Sequence, residues 1–377
     1  MDFDFTDDQE SLRDAVRRWV DKGFSFERRH GIAKAGGRTR EVYAELAELG
    51  LTGLAVPEAH GGMGFGAIEA MVVMEELGRG LVNAPYTQAA LVAPTLLSYA
   101  SAELQQAWLP KIAGGEALVV LAQQERHSRY DLDKVAVKAA EAGGTWKLSG
   151  TKVVVPAGDE ADAFIVSARV SGGENDPAGV ALFIVDKGAA GLTVRGYPTQ
   201  DGARAADVVL AGTPATLLTR KGHDALAHAA DVAIAALCAE AVGLMDRMLA
   251  VTVDYMHQRK QFGVPLATFQ ALRHRIADVK MQVELGRSMS YFASLKLGEA
   301  PDARRRALSQ AKVQLGHSMR FVGQQCTQIH GGIGVTDEYV SSHYFKRLTV
   351  IELSFGDTMY HLGEVSARMR DSAGVFA

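Results

Sequence analysis

The sequence predicts an α+β chain built as three successive blocks: helices, then an antiparallel sheet or barrel, then a four-helix bundle. Three observations carry this expectation. Apolar residues recur with a helical period before about residue 118 and again from about residue 216. Between them lie short β-branched runs separated by Gly, Asp and Pro. The length of 377 residues exceeds that of an ordinary single domain, and the expected division is 1–117, 118–215 and 216–377.

Each element has its own local justification. Thr6 followed by Gln9 is a capping-box pattern, and DQESLRDAVRRWV then carries apolar residues on one face. REVYAELAELG is amphipathic and closes at Gly50, and AIEAMVVMEELG repeats the design and closes at Gly78. Ser101 opens a fourth helix, SAELQQAWLPKIAGG, which Pro110 and the glycines bring to an end. The strand block reads ALVVLAQQ, WKLSG, KVVVPAG, AFIVSARV, GVALFIVDK and LTVRGY. From Asp224 a single helix runs to Gln258, about 50 Å at 1.5 Å per residue. Further helices are expected around 268–297, 302–329 and 358–371, completing a bundle of four.

Composition excludes several function classes. With 47% apolar and 22% charged residues the chain is globular, and a net charge of −4 gives no basic field for nucleic acid or an anionic membrane. The acidic start MDFDFTDDQE lacks the basic and apolar regions of an export signal, so a cytoplasmic protein is expected. The apolar run VAIAALCAEAVGLM contains Glu240 and reads as a buried helix rather than a membrane span. Cys238 and Cys326 lie far apart in helical patterns, as buried thiols in a reducing compartment do. No His/Cys/carboxylate spacing points to a metal.

Two stretches carry chemistry. In RKQFGVPLATFQ, residues 259–270, one reading has Arg259 answering a helix dipole and Gly263-Val264-Pro265 breaking the chain. That leaves a Phe and two Gln residues without a reason. The other reading is a polyanion site: a guanidinium fork grips a pyrophosphate, Phe262 covers an adenine ring, and Gln270 reaches back from the next helix. In QIHGGIGV, residues 328–335, Gly331 is either a left-handed helix cap or one of a glycine pair that lets a phosphate or ribose approach the backbone.

In this order and spacing, behind a helix–sheet–helix layout, the two stretches resemble the acyl-CoA dehydrogenase family, and the resemblance covers essentially the whole chain. AWLPKIAGGEALVVLAQQE is similar to the family's segment leading into the flavin loop, WKLSGTKVVVPAGDEADAFIVSAR to its next hairpin, and YFKRLTVIELSFGD to the stretch that carries the base. The HYFKRLT…FGD form is most similar to the small subunit of two-subunit enzymes of the pimeloyl-CoA dehydrogenase kind. The resemblance implies an N-terminal α-domain, a central antiparallel β-barrel and a C-terminal four-helix bundle. It implies FAD, an acyl-CoA substrate that loses hydrogen from Cα and Cβ, and electron-transfer flavoprotein or a similar acceptor. It also implies a homo- or hetero-oligomer, a dimer of dimers. Carried over by position, Arg259, Gln261 and Phe262 would contact the diphosphate or adenosine part of FAD, and Gln270 would add a further contact. Gln328 and Gly332 match contacts made across a subunit interface. Gln124 and Val154 occupy matching positions in the flavin loop and the following hairpin.

The sequence also departs from the family pattern. Where relatives read Thr-Glu-Pro-x-x-Gly-Ser-Asp, this chain reads QERHSRYD, keeping Glu125 and Asp131 but adding Arg126 and Arg129. Those two cations motivate a bulky or dicarboxylic acyl group; the competing reading is that they are solvated loop charges. The usual Trp-Ile-Thr stretch is Val154-Val155-Pro156. Aligned on Gly356, the catalytic Glu of the family becomes Phe355, and the alternative base position on the long helix becomes Ala233, with Asp231 on a different face. Asp357 and Glu352 remain as candidate bases; their competing readings are a helix N-cap for Asp357 and an ion pair with Arg347 or Lys346 for Glu352. A third possibility places the base in a partner subunit. Rival functions are a flavin oxidase or monooxygenase of the same fold, and a non-catalytic scaffold subunit.

Overall fold

A computed structural model describes residues 4–369. In chain order the helices are α1 (Asp7–Gly23), α2 (Phe26–Lys34), α3 (Arg40–Glu48), α4 (Ala67–Arg79), α5 (Ala93–Leu97), α6 (Ala102–Ala113), α7 (Gly222–Gln258), α8 (Gln270–Lys296), α9 (Pro301–His330), α10 (Val340–Leu353) and α11 (Thr358–Met369). The strands are β1 (Val119–Ala122), β2 (Lys138–Ala142), β3 (Thr145–Pro156), β4 (Ala163–Arg169), β5 (Val180–Asp186), β6 (Leu192–Pro198), β7 (Arg204–Thr219), β8 (Lys260–Gln261) and β9 (Val264–Pro265). The chain divides into two compact units. One comprises Met1–Gly31, Ala67–Val82 and Ile234–Ala377; the other comprises Ile32–Gly66 and Asn83–Ala233.

The first unit is helical. Thr6 and Gln9 form the expected capping box at α1: the Gln9 amide donates to Thr6 Oγ1 at 3.3 Å and the Thr6 amide to Gln9 Oε1 at 3.1 Å. Gly78 corrects the reading of it as a helix end. It lies inside α4, where any Cβ would run into the backbone carbonyl of Glu240 on α7, and Gly243 on α7 faces Glu75 in the same way. The two glycines let the helix backbones touch, and the chain takes its left-handed step at Leu81 instead, with φ +55°.

The core of this unit interleaves Leu237 and Met245 of α7, Val283 of α8, Leu315 of α9 and Leu348 of α10. Among the described residues, a helix that was not expected, α10, thus joins α7, α8 and α9 in this core, while α11 packs on α9. The additional one, α10, is hard to see in sequence because its buried positions include Ser341, Ser342, His343 and Glu352, which blur the apolar stripe. Residues 370 and 371 of the last expected helix lie outside the described residues. Arg347 of α10 grips Glu240 of α7 through two bonds of 2.6 and 2.8 Å, an ion pair that ties these helices together. Cys238 and Cys326 are free and buried in this core, and burial pushes their thiols up to about 12 and about 11. By length and composition α7 could cross a membrane, with a window of mean hydropathy 1.6, yet 83% of that window is buried inside the protein.

The second unit contains the main sheet. Its pairings run β1-β4-β2-β3-β7-β5, β6 pairs with β7, and a β4–β5 pairing closes a circuit of five strands. Two pairings correct the expectation of a purely antiparallel sheet. β1 and β4 run parallel with Val119 opposite Ala163, and β2 meets β4 in parallel at Lys138 and Arg169. The β2–β3 hairpin lies between β1 and β4 in sequence and supplies the long connection a parallel pair requires. WKLSG and KVVVPAG are one strand, β3, interrupted by Gly150 at φ +143° and by a register shift between Lys152 and Val155. β7 is hidden in sequence by Gly212 and Pro214, which mimic turn punctuation. Phe164, Phe183, Leu148 and Val208 fill the core against these strands.

Candidate active site

The sequence-derived site residues fall in both units. At the end of α7 the Arg259 amide still donates to Tyr255 O at 2.8 Å, and the chain then forms the β8–β9 hairpin with Gln261 opposite Val264. Phe262 at φ +55° and Gly263 at φ +82° make its turn. Two left-handed residues suit the twist of a two-residue hairpin, but the first is ordinarily Asn, Asp or Gly. A phenylalanine in this conformation costs free energy, and its ring is 92% exposed with only an edge contact to Phe269 at 6.2 Å. Burial within its own chain is not what holds the residue there. Arg259, Gln261 and Gln270 are exposed, and no side chain caps the start of α8. Each of these groups is available to a ligand.

Beside α8 a groove of about 840 Å³ is lined by Arg275, the α9 residues Gln324, Gln325 and Gln328, then Gly332, and Phe345 of α10. It brings Gln328 and Gly332 together; Arg259 and Phe262 are not among its walls. Gly331 has φ +66° and ψ −141°, which is not the left-handed helical cap but a conformation open to glycine, and the chain passes on into a short helix, Gly331–Val335. A Cβ added at Gly332 would meet nothing within 4 Å, so bare backbone faces open space.

The expected base position lies at the corner between α10 and α11. Phe355 holds φ +55° and packs half-buried against the bundle core. Lys312 of α9 reaches the corner from below and donates to Ile351 O at 2.6 Å, Glu352 O at 3.1 Å and Ser354 O at 2.8 Å. Burial pushes its amine down to about 8, against the opposing pull of Cys238, Glu352 and Asp357. Glu352 does sit in an ion pair, but with Arg320 rather than with Arg347 or Lys346, and it is buried rather than on the surface. It is 9% exposed, and one oxygen accepts from the Thr358 amide at 3.1 Å and the Thr358 hydroxyl at 2.7 Å, with Arg320 at 3.6 Å. Arg347 pairs with Glu240, and Lys346 with Asp337. Asp357 accepts the Tyr360 amide at 2.8 Å, which makes it the N-cap of α11. Both acids at the corner are thus engaged with the backbone of α11. On α7, Ala233 and Asp231 are buried.

In the second unit the loop after β1 carries Gln124, Arg126 and Arg129. All three are exposed, and the Arg129 guanidinium lies 5.2 Å from the Tyr130 ring. A buried pair anchors this loop. Lys152 of β3 donates to Glu125 Oε1 at 2.6 Å, to Gln123 O at 3.1 Å and to Ser167 Oγ at 2.8 Å. Glu125 also accepts the amides of Ala136 at 2.9 Å and Val137 at 3.2 Å. Burial pushes the Lys152 amine down to about 8, opposed by the Glu125 charge. Sequence reasoning missed Lys152; the only signal was a lysine directly ahead of the Val153-Val154-Val155 run of β3. Val154 follows in the bulge with φ +52° and 45% exposure, an unusual conformation for a β-branched residue. Elsewhere, His30, Asp337 and His343 place potential ligand atoms within 4.8 Å of one another. The Arg29 guanidinium can only donate, so His343 Nδ1 accepts from it and Nε2–H donates to Asp337 O, leaving no lone pair on His343 for a cation.

Family models match almost the whole chain in succession: the acyl-CoA dehydrogenase N-terminal domain over residues 6–116, the middle domain over 121–211 and the C-terminal domain over 220–370. The chain belongs to the acyl-CoA dehydrogenase family. It is 28% identical to acyl-CoA dehydrogenase FadE27 of Mycobacterium tuberculosis, over 99% of this chain and 100% of that one. Among solved structures it is similar to the Tcur3481-Tcur3483 steroid ACAD variant, with 30% identity and a TM-score of 0.87 over 97% of this chain and 99% of that one. The ChsE4-ChsE5 complex from Mycobacterium tuberculosis matches at 26% identity and a TM-score of 0.86 over 100% of both chains. Acyl-CoA dehydrogenases are FAD-dependent flavoprotein oxidoreductases of fatty acid β-oxidation that act on the CH–CH group of donors.

Proposed function

We propose that the chain is an FAD-dependent subunit of a heteromeric acyl-CoA dehydrogenase, divided functionally at about residues 117 and 215, whose proton-abstracting base belongs to a partner subunit. The observation that carries this reading is the α10–α11 corner. The resemblance puts an apolar side chain, Phe355, at the family's base position, and the neighbouring acids Glu352 and Asp357 both bond the backbone of α11. The small subunit of pimeloyl-CoA dehydrogenase-like enzymes is the arrangement it resembles. The similar ChsE4-ChsE5 complex is itself a pair of different proteins, which supports a heteromer of the same kind.

The residues present fit the cofactor. Phe262 and Arg259 are exposed with no role in their own core, and the glycine wall of the groove keeps backbone amides accessible. Arg259 would grip the diphosphate, Phe262 would stack on the adenine, Gln261 and Gln270 would bond its polar edges, and Gln328 and Gly332 would close over it from a neighbouring subunit. In the second unit Gln124 and Val154 would border the flavin ring. When bound, FAD supplies the acceptor for hydride from the substrate Cβ. The protein's own part is to position the thioester, polarise its oxygen by hydrogen bonds and exclude water. Arg126 and Arg129 favour a bulky or dicarboxylic acyl group, a choice that the steroid ACAD among similar structures supports on the side of bulk. An electron-transfer flavoprotein or similar protein would take the electrons.

The chain is purified alone and with its genomic neighbour, and the visible spectrum and dye-linked acyl-CoA oxidation are recorded. Flavin absorbance with activity only in the pair is the expected result. Activity of the isolated chain would remove the partner-supplied base. A colourless protein in both preparations would leave the scaffold reading, and peroxide release would favour an oxidase.

A further inference from the structure

The groove beside α8 contains a group that the family frame does not assign. Among the residues lining it, Arg275 is the one that carries charge; the rest are carboxamides, glycines, a threonine and two apolar residues. Arg275 is half-buried on α8, about one and a half turns beyond Gln270. It has no ion pair or hydrogen bond among the described residues, whereas neighbouring guanidiniums in this unit do: Arg287 with Glu75, Arg347 with Glu240 and Arg79 with Asp21. A half-buried guanidinium without a carboxylate has lost part of its hydration and gained nothing from the protein in return. An anion would restore the balance, and the planar fork matches phosphate geometry. The three carboxamides of Gln324, Gln325 and Gln328 offer paired donors and acceptors of the kind that read an adenine edge. Glycine backbone at Gly332 permits close approach.

We propose that Arg275 is a phosphate-binding residue of this groove, and that its ligand is the adenosine diphosphate half of the flavin cofactor. The inference rests on the FAD reading given above and adds to it a second cation, distinct from Arg259. Coenzyme A carries the same adenosine diphosphate chemistry, so the test separates the two sources.

The full chain in its purified assembly is stripped of flavin, and binding of ADP and of adenosine is measured by calorimetry for wild type, Arg275→Gln and Arg275→Lys. Loss of one charge-assisted contact should weaken ADP binding at least about tenfold in Arg275→Gln and flatten its salt dependence. Adenosine binding should be unchanged, which a merely structural role for Arg275 would not allow, and Arg275→Lys should recover part of the ADP affinity. FAD should displace ADP where CoA does not. Equal ADP affinity in wild type and Arg275→Gln, no ADP binding to wild type, or displacement by CoA alone would each overturn the proposal. The wider FAD reading stands or falls separately on the visible spectrum of the wild-type protein. If that spectrum shows no flavin, a charge-dependent ADP loss in Arg275→Gln still places a phosphate at Arg275.

Discussion

His361 Nε2 lies 3.0 Å from the carbonyl oxygen of Phe355, and His361 Nδ1 lies 3.1 Å from Ser309 Oγ. A carbonyl only accepts, so Nε2 carries the proton and Nδ1 accepts from the serine hydroxyl, fixing one neutral tautomer. Burial, with help from the nearby Lys312 and Arg305 charges, pushes this imidazole down to about 3. His361 thereby holds the carbonyl of the left-handed Phe355, which Lys312 does not reach.

That pairing makes stability fall on acidification. An unfolded histidine titrates near 6.5, so between about pH 6.5 and pH 3 the unfolded chain binds a proton that the folded chain refuses. Stability attributable to His361 is complete above about pH 6.5 and is lost below it, at up to roughly 1.4 kcal/mol per pH unit. The thermal midpoint of wild type should exceed that of His361→Gln at neutral pH, and the gap should narrow toward pH 5. A gap independent of pH would show that His361 does not titrate in this range.

Lys312→Met keeps the apolar stem but removes the ammonium from the carbonyls of Glu352 and Ser354, and leaves that of Ile351 only the Ser354 amide. The variant should lose about 2–4 kcal/mol. Denaturant unfolding followed by tryptophan fluorescence measures this, and an unchanged midpoint would mean that water replaces the ammonium without cost.

Phe355→Glu puts a carboxylate on the left-handed corner, at the position proposed above to match the family's base. If the partner normally provides the base, the isolated variant should acquire acyl-CoA oxidation that the isolated wild type lacks. Continued inactivity with flavin bound would show that the corner is not oriented toward the substrate Cα.

Phe262→Ala removes a ring that is 92% exposed and has one edge contact, to Phe269. Its thermal midpoint should match wild type to within about 0.5 kcal/mol of stability. FAD affinity should fall by about five- to a hundredfold, the range expected for one lost base–aromatic stack. Flavin fluorescence on dilution gives the affinity, and full FAD retention would remove Phe262 from the cofactor site.

Gly78→Ala and Gly332→Ala separate two uses of glycine. The first forces a methyl into the Glu240 backbone and should cost about 2 kcal/mol or more. The second meets open space and should leave stability unchanged while lowering FAD retention. Equal melting of the two variants would contradict the distinction.

What the sequence by itself determined is whatever depends on neighbours along the chain. The capping box at Thr6 and Gln9, the period of α7 to α9 and the Asp357 cap are local, and residues within a turn or two specify them. The Arg259 and Gln328 stretches were legible as motifs for the same reason. Tertiary structure alone decided the rest. Gly78 reads as a helix end until α7 is laid against α4, because only that contact demands the absence of a Cβ. Glu352 reads as a surface acid until Thr358 folds back onto it. Lys312, Lys152 and His361 gave no motif at all. A lysine or histidine buried far from its carbonyl and carboxylate partners in sequence acquires its role, and its shifted proton affinity, only when folding removes water and brings those partners within hydrogen-bonding distance.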